Sequence, residues 1–394
     1  MPPDASRCGL TALSELRAAT AGLCATLVGI GLARFAYTPL LPALIEGGWF
    51  SPPDAAYLAA ANLVGYLAGA IGARPVMSRM RPTRLIRLMM ALATATFVAC
   101  TLRLGFPWFV FWRFLSGLSG GLLMVAVAPM VLAVVPVERR GRVGGIMFAG
   151  VGIGIVGAGT LVPQLLRAGL VMTWLGLGAV SLALTILAWT SWPADAPLPR
   201  AAPTSGSGLG WPILAVCGVY ALFALGLVPH MVFLVDFIAR GLGWGVTVGS
   251  TFWVVYGLGA VCGPFAAGWL GDRIGFAPAL SVALGLQLAV VLIPLLAPFT
   301  LPLALSALVM GAFTPGMPSL ILGRLDEINA GRDQHGAWGL ATTVYALAQA
   351  GGAYLMSWLY ARSHGFDALF EAGAMALAAA LALSLASARG RRRG

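Results

Sequence analysis

The chain has 394 residues, of which 59% are apolar and 9% charged, with a formal net charge of +11. About a quarter of a soluble domain is charged, so this composition excludes a water-facing globule and makes lipid the solvent. All 24 basic residues are arginine, against 13 acids, and they fall in short clusters between apolar runs without interleaved aromatics. That excludes a nucleic-acid patch and follows the positive-inside pattern of membrane proteins.

The chain opens on a short polar tail, residues 1–17. Twelve apolar segments follow, at 18–45, 55–73, 84–104, 107–135, 143–166, 170–192, 211–238, 247–267, 277–297, 301–323, 337–360 and 368–388. Each can cross about 30 Å of hydrocarbon as a helix. An open strand cannot, because its backbone polar groups would lack partners. The expected fold is an all-α membrane protein with twelve transmembrane helices. The first run is too long for a signal peptide and is read as a retained helix. Twelve crossings put both termini on one side. Eighteen arginines lie in the loops and tails of that side, and four, Arg103, Arg167, Arg240 and Arg362, on the other. The asymmetry predicts cytoplasmic termini in a bacterial inner (plasma) membrane.

Two arginines, Arg34 and Arg113, lie inside segments. Arg34 is about 11 residues, or ~16 Å, from the outer end of the first helix, too far to snorkel easily. A guanidinium at the bilayer centre costs at least ~2.5 kcal/mol on insertion scales, so it should face a wet cavity or a partner. The bland alternative is a packing arginine bonded to carbonyls of a neighbouring helix, and it applies to Arg113 as well. Around them the candidate cavity residues are Tyr37, close to Arg34, and Asn62 with Tyr66, which share a helix face at i, i+4. Further along come His230, the one histidine inside a segment, then Tyr256, and the i, i+4 pair Tyr345 and Gln349. His230 titrates near neutral pH when unperturbed and is the candidate proton carrier; the alternative is a neutral histidine satisfied by a neighbour.

No Asp or Glu falls in the middle of any segment; Glu46, Asp54, Asp236 and Glu371 sit near outer ends. Two deep arginines without a deep acid leave a positive cavity that concentrates anions. A carboxylate satisfies a guanidinium bidentately, so the expected substrate is a small organic anion. Pairing of Arg34 or Arg113 with Asp236 is the alternative.

The stretch PADAPLPRAAPTSGSGLG, 193–210, reads as a flexible linker between halves 18–192 and 211–388, with a basic tail at 389–394. The halves echo one another. A shift of 194 places Ser78 and Arg79 on Asp272 and Arg273, Gly65 on Gly259 and Gly69 on Gly263. Corresponding placement in two halves is the signature of a parallel-repeat transporter. The fifth-segment glycines Gly150, Gly154 and Gly157 recur at helix spacing and should admit close packing.

Three motifs carry a family resemblance: GWLGDRIG at 268–275, RFLSGLSGG at 113–121 and GVGIGIVGAG at 150–159. They resemble the loop, fourth-helix and fifth-helix patterns of the major facilitator superfamily. The opening GLARFAYTPLLP with AAANLVGYLAGAIGA is similar to its YbfB/YjiJ-type branch. The resemblance implies six plus six helices, a central cavity lined by helices 1, 4, 7 and 10, and action as a monomer. It implies a coupling role for Arg113. It also makes Gly268, Asp272, Arg273 and Gly275 a gating loop that latches the cytoplasmic side. Gly268 is expected to allow close packing there, and Asp272 to bond backbone donors or face the positive N-terminus of a nearby helix. Two departures stand out: the first-half loop has Ser78 in place of the acid, and the fifth helix lacks the proline of the antiporter pattern.

The five cysteines show no disulfide or metal spacing, no nucleophile elbow or zinc-protease motif is present, and a phosphate loop is excluded by the absence of lysine. No cofactor, metal or enzymatic activity is expected. The function expected is secondary active transport of a small solute by alternating access, with protons as a candidate coupling ion. The alternatives are proton-coupled efflux of drug-like or metabolite compounds, and a non-transporting membrane sensor or assembly protein.

Overall fold

An apolar chain in lipid must satisfy its backbone within each segment, and the described residues form helices with no strand among them. The computed structural model describes residues 5–136, 139–192, 210–329, 334–363 and 365–390. The expected linker, apart from Gly210, and the last four residues of the basic tail lie outside the described residues.

The helices are α1 (Ala5–Thr26, π turns at Leu27–Leu32, then Tyr37–Glu46), α2 (Pro52–Met77), α3 (Pro82–Ala99) and α4 (Phe106–Leu132). Then come α5 (Arg140–Leu166), α6 (Leu170–Trp189) and α7, which runs as Trp211–Val228, Pro229–Phe233, Leu234–Asp236 and Phe237–Gly241. The chain ends with α8 (Gly245–Ile274), α9 (Phe276–Val291 and Ile293–Leu296), α10 (Thr300–Asn329), α11 (Gln334–Ser363) and α12 (Asp367–Gly390). Ten of the twelve are long and apolar enough to cross a membrane. The other two are α3, with Arg84 and Arg87, which packs on α4 and α6 of its own half, and α11, which packs between α7 of its own half and α2 of the other. Helix α1 begins at Ala5, so most of the expected polar tail is helical.

The packing repeats with the sequence. In the first half α1 packs on α5 and α6, α2 on α4, and α3 on α4 and α6. In the second half α7 packs on α11 and α12, α8 on α10, and α9 on α10 and α12. The halves meet through α5 with α8 and α2 with α11. The repeat holds to single residues at the tightest crossings. A Cβ on Gly65, Gly69 or Gly117 would run into the carbonyls of Phe114, Leu118 and Asn62. Moving 194 positions along, Gly259, Gly263 and Gly311 meet the carbonyls of Leu308, Ala312 and Tyr256 in the same way. Small residues are what allow two helix backbones to approach this closely in lipid.

Helix α5 uses glycine on two faces. Gly150 and Gly154 press on Leu23, Thr26 and Gly31 of α1, while Gly152 and Gly159 meet Val261, Ser250 and Val254 of α8. Gly157, expected to share this role, has open space at its Cβ position. Its spacing places it on the face of Gly150 and Gly154, further along the helix, where nothing of α1 comes within 4 Å.

The first helix is not the single uninterrupted rod its hydropathy predicts. It opens into π turns and breaks at residues 33–36, and α7 opens at the same depth, at Pro229, which has no backbone N–H to give. A break in lipid frees carbonyls that neighbours must then satisfy. The carbonyl of Ala33 accepts from Arg113 Nη1 at 3.0 Å and from Ser116 Oγ at 2.9 Å. The carbonyl of Met231 accepts from Thr38 Oγ1 at 2.8 Å, which ties α1 to α7 across the halves.

Candidate functional site

The break in α1 places Arg34 at the interface of the halves. Its Nη2 donates to Gln349 Oε1 at 2.6 Å and reaches Met231 Sδ at 3.1 Å. Its guanidinium lies 5.1 Å from the ring centres of both Phe35 and Tyr66. Its Nε is buried without a partner. Gln349 in turn donates through Nε2 to Tyr345 Oη at 2.8 Å, and Tyr345 stacks on Tyr220 at 4.4 Å. Sequence spacing thus found four members of one cluster: Arg34, Tyr66, Tyr345 and Gln349.

Arg113 is 3% exposed and is held by the Ala33 carbonyl and the face of Tyr37, 4.2 Å away. Tyr37 spends its hydroxyl on the carbonyl of Ala55 at 2.9 Å. Asn62 donates to the Arg113 carbonyl at 3.2 Å, and its Oδ1 is buried without a partner. Arg113 therefore has the carbonyl bond of the packing alternative, and it also borders a cavity. That cavity lies between the two arginines and is lined by Arg34, Tyr37, Thr38, Asn62, Arg113 and Met231, with apolar side chains between them.

Neither arginine has a carboxylate partner. Among the described residues the ion pairs are Arg139 with Glu15, Arg240 with Asp236 and Arg324 with Glu327. Asp236, the deepest acid, is clamped through both oxygens by Arg240 at 2.5 Å and accepts from Tyr360 at 3.2 Å. It pins α7 to α11 and is not available to Arg34 or Arg113.

Tyr37, Thr38, Met231 and Val232 are buried, whereas Arg34, Tyr66 and Tyr345 are half-buried.

Other predicted residues fall elsewhere. His230 is fully buried behind α7, with Nε2 2.7 Å from Ser306 Oγ and its ring edge-on to Phe370. Tyr256 stacks on Trp253 at 4.6 Å and bonds Thr314; it makes no hydrogen bond to Arg34, but Arg34 and Tyr345 lie within electrostatic range of it.

Before the α8–α9 turn, Gly268 has open space where a Cβ would sit, so nothing packs closely on it in this state. Asp272 is exposed and no hydrogen bond or ion pair holds it among the described residues. The backbone donor at this turn, Phe276 N, is taken by Glu327 Oε1 of α10 at 2.8 Å, and Arg324 holds the same carboxylate at 2.8 Å. Arg273 lies over Trp269 at 4.9 Å, and Gly275 turns the chain at φ +85°. Sequence reasoning missed Glu327, and also Thr38 and Met231. Thr38 could have been found, since it lies four residues after Arg34 on the same face. Met231 had no signal, because a thioether and a carbonyl freed by a helix break leave none.

Two matching six-helix halves, broken helices at mid-depth and a polar site between the halves define a multi-pass membrane transporter of the secondary type. The family described as "Uncharacterised MFS-type transporter YbfB" matches residues 26–385, and the chain belongs to it. Among solved structures, a D-xylose–proton symporter superposes with a TM-score of 0.73 at 18% identity, covering 94% of this chain and 96% of that one. A bacterial homologue of the human lysosomal transporter Spinster superposes in its inward-facing, unoccupied form with a TM-score of 0.67 at 16% identity, covering 96% and 95%. The occupied inward-facing form gives 0.68 at 16% identity, covering 94% and 96%. These likenesses concern the fold. No curated protein sequence matches the chain.

Proposed function

We propose that this transporter moves a small organic anion by alternating access, with Arg34 as the charge that binds it. One observation carries the reading: Arg34 and Arg113 border one cavity, and among the described residues no carboxylate pairs with either. A desolvated cavity of one sign concentrates the opposite charge. Gln349 Oε1 sits on Arg34 where an oxygen of a bound carboxylate would sit, and the unpartnered Nε offers a second donor. Arg113 is the fixed charge behind it, locked to the Ala33 carbonyl.

The arginine-rich end with the termini faces the cytoplasm in this reading, by the positive-inside rule. The outer side of the site is then sealed at Thr38 and Met231. The membrane is the bacterial inner membrane, and one chain carries the whole site, so a monomer suffices. A proton is the coupling ion by analogy with the D-xylose–proton symporter that shares the fold. No residue is assigned to carry it, because His230 lies behind α7. The loop of Asp272 and Arg273 is a gate whose partners would form in the outward-open state. No chemistry is done on the solute.

The test is uptake of labelled organic anions, cations and neutral compounds by reconstituted liposomes. Saturable anion uptake, lost in Arg34→Gln and kept in part by Arg34→Lys, supports the proposal. Wild-type anion uptake by Arg34→Gln, or uptake confined to cations and neutral compounds, overturns it.

A further inference from the structure

A second basic site lies away from the central cavity, on the lipid-facing surface. A groove between α3 and α6, at the end that carries the termini, is lined by Arg81, Thr83, Arg84, Arg87, Leu88 and Trp189. Its three guanidinium groups have no carboxylate partner among the described residues. Arg87 lies over the ring of Trp189, 5.4 Å from its centre, and its Nε is buried with nothing to bond. Arg81 is the N-cap of α3, and Arg84 and Arg87 follow at three-residue steps in its first two turns, so the three lie along one side of the helix. The first-turn amides of α3 add the positive end of the helix dipole.

Below the arginines the surface is apolar and exposed. Leu88 on α3 and Ile186 and Leu187 on α6 are 43%, 63% and 58% exposed. A free anion would use only the upper part of this arrangement. A phospholipid would use all of it: phosphate against the guanidinium groups, glycerol at the depth of Trp189, acyl chains along the leucines and isoleucine. Tryptophan at headgroup depth and basic pockets between transmembrane helices are how anionic lipids are held.

We infer that the α3–α6 groove binds the phosphate headgroup of an anionic phospholipid, with Arg84 and Arg87 as its ligands and Trp189 as its floor. Each arginine near an anionic surface contributes about 1 kcal/mol, or roughly fivefold in affinity. Replacing both should weaken binding by roughly thirtyfold. The site shares no residue with the central cavity and stands or falls independently of the anion-transport reading.

Native mass spectrometry and thermal melting of the purified full chain test it, with phosphatidylglycerol, phosphatidylcholine and inorganic phosphate added separately. Phosphatidylglycerol should form retained adducts and raise Tm, phosphatidylcholine should do neither, and Arg84→Gln/Arg87→Gln should lose the effect. If that double variant fails to fold, the rim variant Arg84→Gln alone should lose roughly fivefold. Equal retention of phosphatidylcholine, or unchanged phosphatidylglycerol binding in the folded variants, overturns the site. An equal Tm shift with inorganic phosphate alone makes it an anion site and removes the lipid.

Discussion

Arg34 on α1 and Gln349 on α11 are joined by a 2.6 Å hydrogen bond, and that bond crosses between the two halves of the chain at the candidate site. The same side chain that is proposed to bind the solute is therefore engaged by the opposite half. Under the proposed function a carboxylate displaces the Gln349 carbonyl, which puts binding and the contact between halves in competition. A ligand shifts a conformational equilibrium only by its differential interaction with the two states. The exchange at Arg34 is one source of that difference.

Changing Gln349 tests the competition directly. Gln349→Glu keeps the shape and places a carboxylate on Arg34. It should raise the Tm of the solute-free protein and abolish further stabilisation by organic anions, since a bound ligand stabilises only where it can bind. Gln349→Ala should lower the solute-free Tm and leave the anion response intact or larger. Anion-dependent shifts of wild-type size in Gln349→Glu would remove Arg34 from the binding site.

The two buried arginines should separate by phenotype. Arg113 satisfies a carbonyl that the break in α1 exposes, and only Ser116 otherwise reaches it. Arg113→Gln should cost about 1–3 kcal/mol of stability, the usual penalty for losing a buried partner, read as lower Tm and yield in detergent. Arg34→Gln should cost less stability and lose the anion response. Equal loss of stability in both would mean that Arg34 is held for packing as Arg113 is.

The parts of this molecule that were legible in the sequence are those where lipid makes a residue expensive. A guanidinium at mid-depth demands a reason, and Arg34 and Arg113 do border one cavity. The i, i+4 spacing of Tyr345 and Gln349 put both on the face where they bond each other. The glycines found by a 194-residue shift mark the two tightest crossings. The misreadings share a cause of the opposite kind. His230 has the neighbour of its bland alternative, Ser306, and not the cavity place of a proton carrier, because its helix face depends on the π turns of α7, which change the residue-to-face relation. Asp272 was given a backbone donor that Glu327, 55 positions later in the chain, takes instead. Local pattern does not reveal which of two acids reaches a turn when they lie on different helices.

The Asp236, Arg240 and Tyr360 cluster should act on stability alone. Asp236 is fully buried and bonded to both partners. Breaking a buried ion pair by removing one partner costs about 3–5 kcal/mol, because the other charge is left uncompensated. Asp236→Asn should therefore lower Tm sharply, and Asp236→Asn/Arg240→Met should recover much of the loss. If the double variant folds but no longer binds anions, the cluster belongs to the site after all.

The glycines give the last contrast, because structure and spacing disagree about them. Gly117 and Gly311 occupy equivalent crossings, where a Cβ would enter the carbonyls of Asn62 and Tyr256 on the partner helices. Backbone atoms cannot move aside as a flexible side chain can, so the helices must separate. Overpacking of this kind costs typically about 1–3 kcal/mol, and Gly117→Ala and Gly311→Ala should each lower Tm accordingly. Gly157 and Gly268 sit in helices with open space around them. Replacing glycine by alanine there removes unfolded-state freedom and favours the helix by up to about 1 kcal/mol. Gly157→Ala and Gly268→Ala should be neutral or stabilising in thermal melts of the state described. If either instead stops transport while leaving Tm unchanged, that glycine is needed for a closer approach in the other half of the transport cycle.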